Sequence, residues 1–204
     1  MFPAQRNGAL YSFPVRTRNG PRKAEAIFAA TLALLAEHGY DKLAIEAVAA
    51  RSGVNKTTLY RWWPSKDALL AAALRDSGLF AIDVPDTGSF RGDLLAVATR
   101  IHRLLTAEDT APVVTAALTA GPRRPELGDV SRSFFADRMA REEPIFTRAA
   151  ARGELRAGVD PVLVMDLLAG AIWFRLLLRG GDAGPEFLEE AVDTVLGGAA
   201  GESR

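Results

Sequence analysis

The sequence predicts an all-α protein built from two helical modules, and three observations carry that prediction. Apolar residues recur at three- and four-residue spacing along most of the chain, and no segment shows the sustained alternation of a strand. The segment Ile45–Lys66, IEAVAARSGVNKTTLYRWWPSK, reads as two short helices joined by a turn that contains glycine. Charge also changes sign along the chain: residues 1–78 hold 11 Lys+Arg against 6 Asp+Glu, and residues 79–204 hold 14 against 19. A neutral total therefore conceals a basic module followed by an acidic one.

Taken in order, residues 1–20 are rich in Pro, Gly, Asn and scattered Arg and read as a flexible basic arm. Arg16, Arg18, Arg22 and Lys23 are its candidates for reaching a polyanion. The first helix is expected from about Pro21 to His38, with proline in its first turn and Gly39 as its stop. Ile27, Phe28, Thr31, Leu34 and Leu35 form its buried stripe. The two short helices follow, and Gly53 between them suits a left-handed turn. Ser65 then caps a helix that runs to about Gly78, with Asp67 in its favoured first turn. The turn-forming run VPDTGS, Val84–Ser89, is the connector between modules. Beyond it, helices are expected at Phe90–Thr106, Ala111–Ala120, Glu126–Gly153, Pro161–Arg179 and Pro185–Leu196. Pro144 should break the third of these near Arg141–Pro144, because it removes a backbone donor.

The two short helices carry the chemistry. Val48 and Ala49 face inward on the first, and Val54, Leu59 and one of two tryptophans supply the apolar side of the second. The other side presents Asn55, Lys56, Thr57, Thr58, Tyr60 and Arg61, a set of donors suited to base edges and phosphates. Arg61 and Lys56 can contact guanine or phosphate; Asn55 can read adenine or cap its own helix. Thr58 either joins this face or packs inward, and the Tyr60 hydroxyl can meet a phosphate.

Residues Arg22–Leu70 resemble the N-terminal domain of the tetracycline-repressor (TetR) family of bacterial regulators. The matching elements are AEHGY (Ala36–Tyr40), AIEAVAARSGV, and NKTTLYRWWPSKDALL (Asn55–Leu70), without a gap over roughly 50 residues. The resemblance implies a three-helix DNA-binding domain over residues 21–66 and a helical regulatory and dimerisation domain over residues 67–204. It places DNA contacts on Asn55, Lys56, Thr57, Tyr60 and Arg61, with Lys66 on the backbone. Two departures stand out. Ala44 occupies the place of a capping Thr or Ser, forgoing about 1 kcal/mol of helix stability. Trp62 stands at a position often polar in relatives, so Trp63 is the expected core aromatic. Trp62 is then a rim residue or a flat contact on sugar and phosphate.

In the second module, Pro161–Leu178, PVLVMDLLAGAIWFRLLL, is apolar nearly all round, and such a helix needs burial on more than one side. The last helix offers Phe187, Leu188, Ala191, Val192, Val195 and Leu196. Two helices from each of two chains predict a four-helix homodimer interface through Leu167, Gly170, Ala171, Phe174, Leu188, Ala191, Val192 and Val195. Gly153–Leu178 resembles the C-terminal domain of one branch of the same family. That resemblance implies a repressor binding a palindromic operator, with half-sites ~34–36 Å apart, and released by a small-molecule effector. Expected pocket residues are Ile101, Leu104, Leu105, Val114, Leu118, Phe134, Phe135, Met139, Trp173 and Phe174, with His102 and Arg103 as polar candidates. Such a lining favours an apolar or aromatic effector. The competing reading is a dimeric helical ligand- or protein-binding module without tight operator binding.

Other classes find little support. The absence of cysteine rules out disulfides and thiol chemistry. No phosphate-binding glycine loop, nucleophile elbow or metal-spaced cluster is present, so no cofactor and no enzyme activity are expected. The pairs Glu142–Glu143 and Glu189–Glu190 read as solvated faces. Uninterrupted apolar runs fall short of the ~18 residues of a membrane span, and the first residues lack a signal-peptide core. The expected location is the cytoplasm.

Overall fold

A computed structural model of the protein describes residues 23–77, 83–120 and 124–199. Nine α-helices and no strand are present among them: α1 (Ala24–Lys42), α2 (Ile45–Ser52), α3 (Lys56–Trp62), α4 (Lys66–Asp76), α5 (Phe90–Thr106), α6 (Ala111–Ala120), α7 (Pro125–Ala151), α8 (Pro161–Trp173) and α9 (Pro185–Ala199). The chain divides into two compact units. One contains α1–α4, α6 and the start of α7, and the other contains α5, the rest of α7, α8 and α9. The N-terminal arm lies outside the described residues.

In the first unit α1 is the central strut, packing on α2, α4 and α6. Its expected stripe, Ile27, Phe28, Thr31, Leu34 and Leu35, is buried, and the Thr31 hydroxyl donates to the Ile27 carbonyl at 2.8 Å. Gly39 breaks the helical path with φ 72° and ψ 174°, a conformation that glycine adopts without a side-chain clash. Tyr40 and Leu43 beyond this break remain in the core. Trp63 is also buried, with its ring edge-to-face against Phe28 at 5.3 Å between centroids.

In the second unit α5 packs on α8 and α9, and α8 on α9. The connector shapes the start of α5. Ser89 caps it by accepting from the Gly92 amide at 3.1 Å, and the Phe90 amide donates to a Glu154 carboxylate oxygen at 2.6 Å. Buried Asp93 accepts from the Thr87 amide at 2.7 Å and its hydroxyl at 2.8 Å. Phe90 and Phe146 then meet edge-to-face at 5.6 Å.

The expected break at Pro144 does not occur: α7 runs unbroken from Pro125 to Ala151. Proline in a helix interior costs about 3 kcal/mol. Glu142 before it, and Ile145, Phe146 and Ala149 after it, are all buried. Burying three such side chains is worth more than that loss, so packing holds both halves of the helix in one path. α8 ends differently from expectation as well. Its last turn, Phe174–Leu178, widens into a π-helical turn closed by the Arg179 amide donating to the Phe174 carbonyl at 3.0 Å.

Candidate nucleic-acid interface

The geometry of α2, its turn and α3 follows from a few local choices. Ala44 precedes α2 in extended conformation and supplies no side-chain cap. Gly53 ends α2 with φ 63° and ψ 36°, the left-handed closure that the sequence requires there. The Val54 amide returns to the Ala49 carbonyl at 3.1 Å. Asn55 then caps α3, its side-chain oxygen accepting from the Thr57 amide at 2.9 Å. Leu59 is fully buried and fastens the helix to the unit. Shortening it to alanine is expected to destabilise the protein by about 2–5 kcal/mol, measured by denaturant unfolding.

With Leu59 inward, the opposite face of α3 is exposed. Asn55, Lys56, Thr57, Tyr60, Arg61 and Trp62 all lie on the surface, and Thr58 is half-buried at its edge. Among the described residues, neither the Lys56 ammonium nor the Arg61 guanidinium is held by a carboxylate. Two cations and several hydrogen-bond donors on a convex helix face form a surface suited to a polyanion. The Asn55 carbonyl oxygen is committed to the cap, so a contact from this side chain falls to its amide nitrogen.

Lys66 sits differently from the rest. It is half-buried, and its ammonium donates to the Tyr40 carbonyl at 2.9 Å while lying 4.1 Å from the centre of the Tyr40 ring. Arg124 covers that ring as well, 4.5 Å from its centre. The Tyr40 hydroxyl donates to the Asp67 carboxylate. Burial, together with this carboxylate, pushes the phenol up to about 12. Lys66 thus first locks the start of α4 to the end of α1.

Two other ties hold α2 and the turn before α3 in place, and sequence spacing does not show them. Arg51 on α2 grips Glu37 on α1 through two hydrogen bonds of 2.8 Å, and this grip holds the Glu37 carboxyl below its ordinary range. Lys23 donates to the Gly53 carbonyl at 3.1 Å, across the turn itself. Each tie joins residues on different elements, so no helical spacing announces it.

Comparison with known proteins agrees with this geometry. The model of the family "Bacterial regulatory proteins, tetR family" matches residues 27–73, and that of "Tetracyclin repressor-like, C-terminal domain" matches residues 84–195. The chain belongs to the TetR family of bacterial regulators. It is 37% identical over 178 residues to the uncharacterized HTH-type transcriptional regulator Rv1556 of Mycobacterium tuberculosis, covering 86% of each chain. It is 33% identical over 180 residues to the DNA-binding transcriptional repressor TetR of Mycobacteroides abscessus, covering 87% of this chain and 93% of that one. Among solved structures, the TetR family transcription regulator SCO0332 superposes with a TM-score of 0.67 at 31% identity, over 88% of this chain and all of that one. As a TetR-family member, the protein is a DNA-binding transcriptional regulator and not an enzyme.

The second unit presents an exposed apolar surface. α8 buries Val164, Met165, Leu168 and Ile172 and turns a second apolar stripe outward. Leu163, Leu167 and Phe174 are each more than half exposed, and Leu178 is 76% exposed. Gly170 and Ala171 lie between them, the first exposed and the second half-buried. Leu163 and Leu178 extend the stripe beyond the expected set. With its π turn, the segment Pro161–Leu178 is also long and apolar enough to cross a membrane by length and composition.

On α9 the expectation needs correction. Leu188 is 3% exposed and Val192 0% within the chain itself, so they pack into their own unit instead of facing a partner. Helical spacing identifies an apolar stripe but not which of two neighbours it meets. Ala191 and Val195, beside them, are half-buried.

The expected pocket is divided by the fold. Ile101, Leu104, Leu105, Phe135, Met139, Trp173 and Phe174 belong to the second unit, whereas Val114 and Leu118 on α6 belong to the first. Ile101 and Leu105 are core, Leu104, Phe135, Met139 and Trp173 are half-buried, and the Phe135 and Trp173 rings lie 5.6 Å apart. Phe174 points outward on the α8 stripe and is withdrawn from any pocket within its own unit. The Phe134 side chain lies outside the described residues. A cavity of about 730 Å³ lies in the first unit instead, lined by Leu35, Gly39, Tyr40, Asp41, Pro112, Thr115 and Arg124, and contains none of the expected residues.

Proposed function

We propose that this protein represses transcription by binding a palindromic operator as a homodimer, and that a small-molecule effector releases it. The observation that carries the proposal is a pairing of two surfaces on one chain: the uncommitted polar face of α3 and the exposed apolar stripe of α8. A single α3 reads only a few base pairs, and an apolar stripe of this size needs a partner. A second copy meeting the first through Leu163, Leu167, Gly170, Ala171, Phe174 and Leu178, flanked by Ala191 and Val195, supplies both. Two α3 helices then address successive major grooves, and symmetry in the protein dictates symmetry in the operator.

In this reading residues 21–66 form the DNA-binding domain and residues 67–204 the regulatory and dimerisation domain. Arg61 and Lys56 meet guanine edges or phosphate, Thr57 and Thr58 add hydroxyl contacts, and the Asn55 amide reaches a base. Tyr60 and Trp62 lie along the backbone, and Lys66 supports them from α4. An effector acts by favouring a state in which the two α3 helices no longer match the half-site spacing. In this reading α8 is buried against a second copy and not in a membrane, and the protein works in the cytoplasm, where its DNA target lies.

The direct test is the salt dependence of operator binding, followed by fluorescence anisotropy. A dimer neutralising roughly 6–10 phosphates loses about 10³- to 10⁵-fold in affinity between 50 and 200 mM salt. A flat dependence would remove α3 and its cations as a DNA surface.

A further inference from the structure

The interior of the second unit holds a polar cluster that packing alone does not account for. Glu142 on α7 is fully buried. One of its carboxylate oxygens accepts from the Arg138 Nε at 3.0 Å, one helical turn earlier, and the other has no hydrogen-bond partner. Arg100 on α5 likewise buries an Nε–H that has none. Burial is the largest effect on both groups, pushing the Glu142 carboxyl up and the Arg100 guanidinium down from their ordinary ranges; Arg138 and Arg100 oppose it at Glu142, and Asp83 and Glu142 oppose it at Arg100. A buried acceptor and a buried donor left without partners both destabilise the fold. A core selected only for stability would replace them with apolar side chains.

The chemistry of the two unpaired atoms narrows what suits them. One site accepts and the other donates. A cationic group would face Arg100 and Arg138, and an anionic one would face Glu142, so either brings a like charge into the interior. A neutral hydroxyl carries a donor and an acceptor and suits either group, donating to the free Glu142 oxygen or accepting from the Arg100 Nε–H. Around this point the helix faces are apolar and incompletely covered. Phe135 and Met139 precede Glu142 on α7 at helical spacing, Leu104 follows Arg100 by one turn on α5, and all three are half-buried. The Phe135 ring continues to Trp173.

We propose that Glu142 and Arg100 are the polar anchor of the effector site, and that they take the hydroxyl group of a predominantly apolar molecule, an alcohol or a phenol. The assignment rests on the effector reading given above and specifies the chemical class of that effector. It also explains why a carboxylate is kept at full burial beside an aromatic-lined region: the group distinguishes a hydroxylated compound from its hydrocarbon analogue. A missing hydroxyl leaves a buried protein group unpaired, which makes a hydrogen-bonded site far more selective than an apolar pocket.

The test uses the full-length protein and matched compound pairs, in which a hydroxyl replaces a methyl on one-, two- and three-ring aromatic skeletons and on medium-length alkyl chains. Binding is read by calorimetry, and operator release by anisotropy on the same samples. The hydroxyl member of each bound pair is expected to bind roughly 10- to 100-fold more tightly than its methyl partner. Glu142→Met is expected to abolish that preference. The double variant Arg138→Met/Glu142→Met removes the ion pair as a unit, guarding against misfolding caused by an unpaired buried arginine. Equal binding of methyl and hydroxyl partners, a preference that survives in both variants, or no binding of any pair overturns the anchor. Compounds that release the operator with no dependence on Glu142 leave the effector reading standing and remove the anchor alone. Hydroxyl-selective binding that never alters operator affinity supports the anchor and removes the effector reading.

Discussion

Replacing Arg61 with alanine is expected to weaken operator binding by roughly 10- to 100-fold while leaving helical content and dimerisation unchanged. Arg61 is exposed in the last turn of α3, and no carboxylate among the described residues holds it. Its removal therefore costs the folded protein little, and the loss appears in the complex. The pattern of loss identifies the contact. A base contact relaxes preference at one position of each half-site, whereas a phosphate contact weakens all sequences alike and lowers the salt slope by about one per half-site. Anisotropy titrations on the operator and on single-base variants separate the two. Unchanged affinity in Arg61→Ala would remove this residue from the interface.

Introducing glutamate at Leu167 is expected to produce a folded monomer that binds the operator at least about a thousandfold more weakly. Leu167 lies mid-stripe on α8 and is more than half exposed, so a single chain tolerates the charge in water. In a symmetric interface the same change places two desolvated carboxylates close together, at several kcal/mol. Light scattering reads the mass and circular dichroism the fold. Val192→Glu makes the contrast: Val192 is fully buried within its own chain, so the charge there unfolds the second unit before it affects assembly. A stable dimer of Leu167→Glu would show that the outer face of α8 is not the interface.

Much of this architecture was legible from spacing. The stripe of α1, the left-handed Gly53, the Asn55 and Ser65 caps, and the limits of α5 and α6 follow from local rules that act within one or two helical turns. The division of labour between Trp62 and Trp63 followed from the family resemblance, since spacing alone left open which of the two is buried. What escaped depends on neighbours distant in sequence. Leu188 and Val192 form the right kind of stripe, but only the packing of α9 on α5 and α8 shows that it is satisfied within the chain. Pro144 obeys its local rule less strongly than the core around it. Glu142, adjacent to Glu143, reads as half of a solvated pair, and only its depth in the fold reveals an ion pair with Arg138. The pocket residues were chosen for apolarity, a property that core and pocket share.

In the proposed mode of action a dimer of this chain reads a symmetric DNA sequence. The measurement that tests it most directly is selection of bound fragments from a sheared genomic library of the source organism, at near-physiological salt, with the protein shown folded and dimeric. Enrichment of one inverted repeat whose half-sites lie about one helical turn, ~34–36 Å, apart is expected. Enrichment of no sequence, or of a motif without two-fold symmetry, would contradict it.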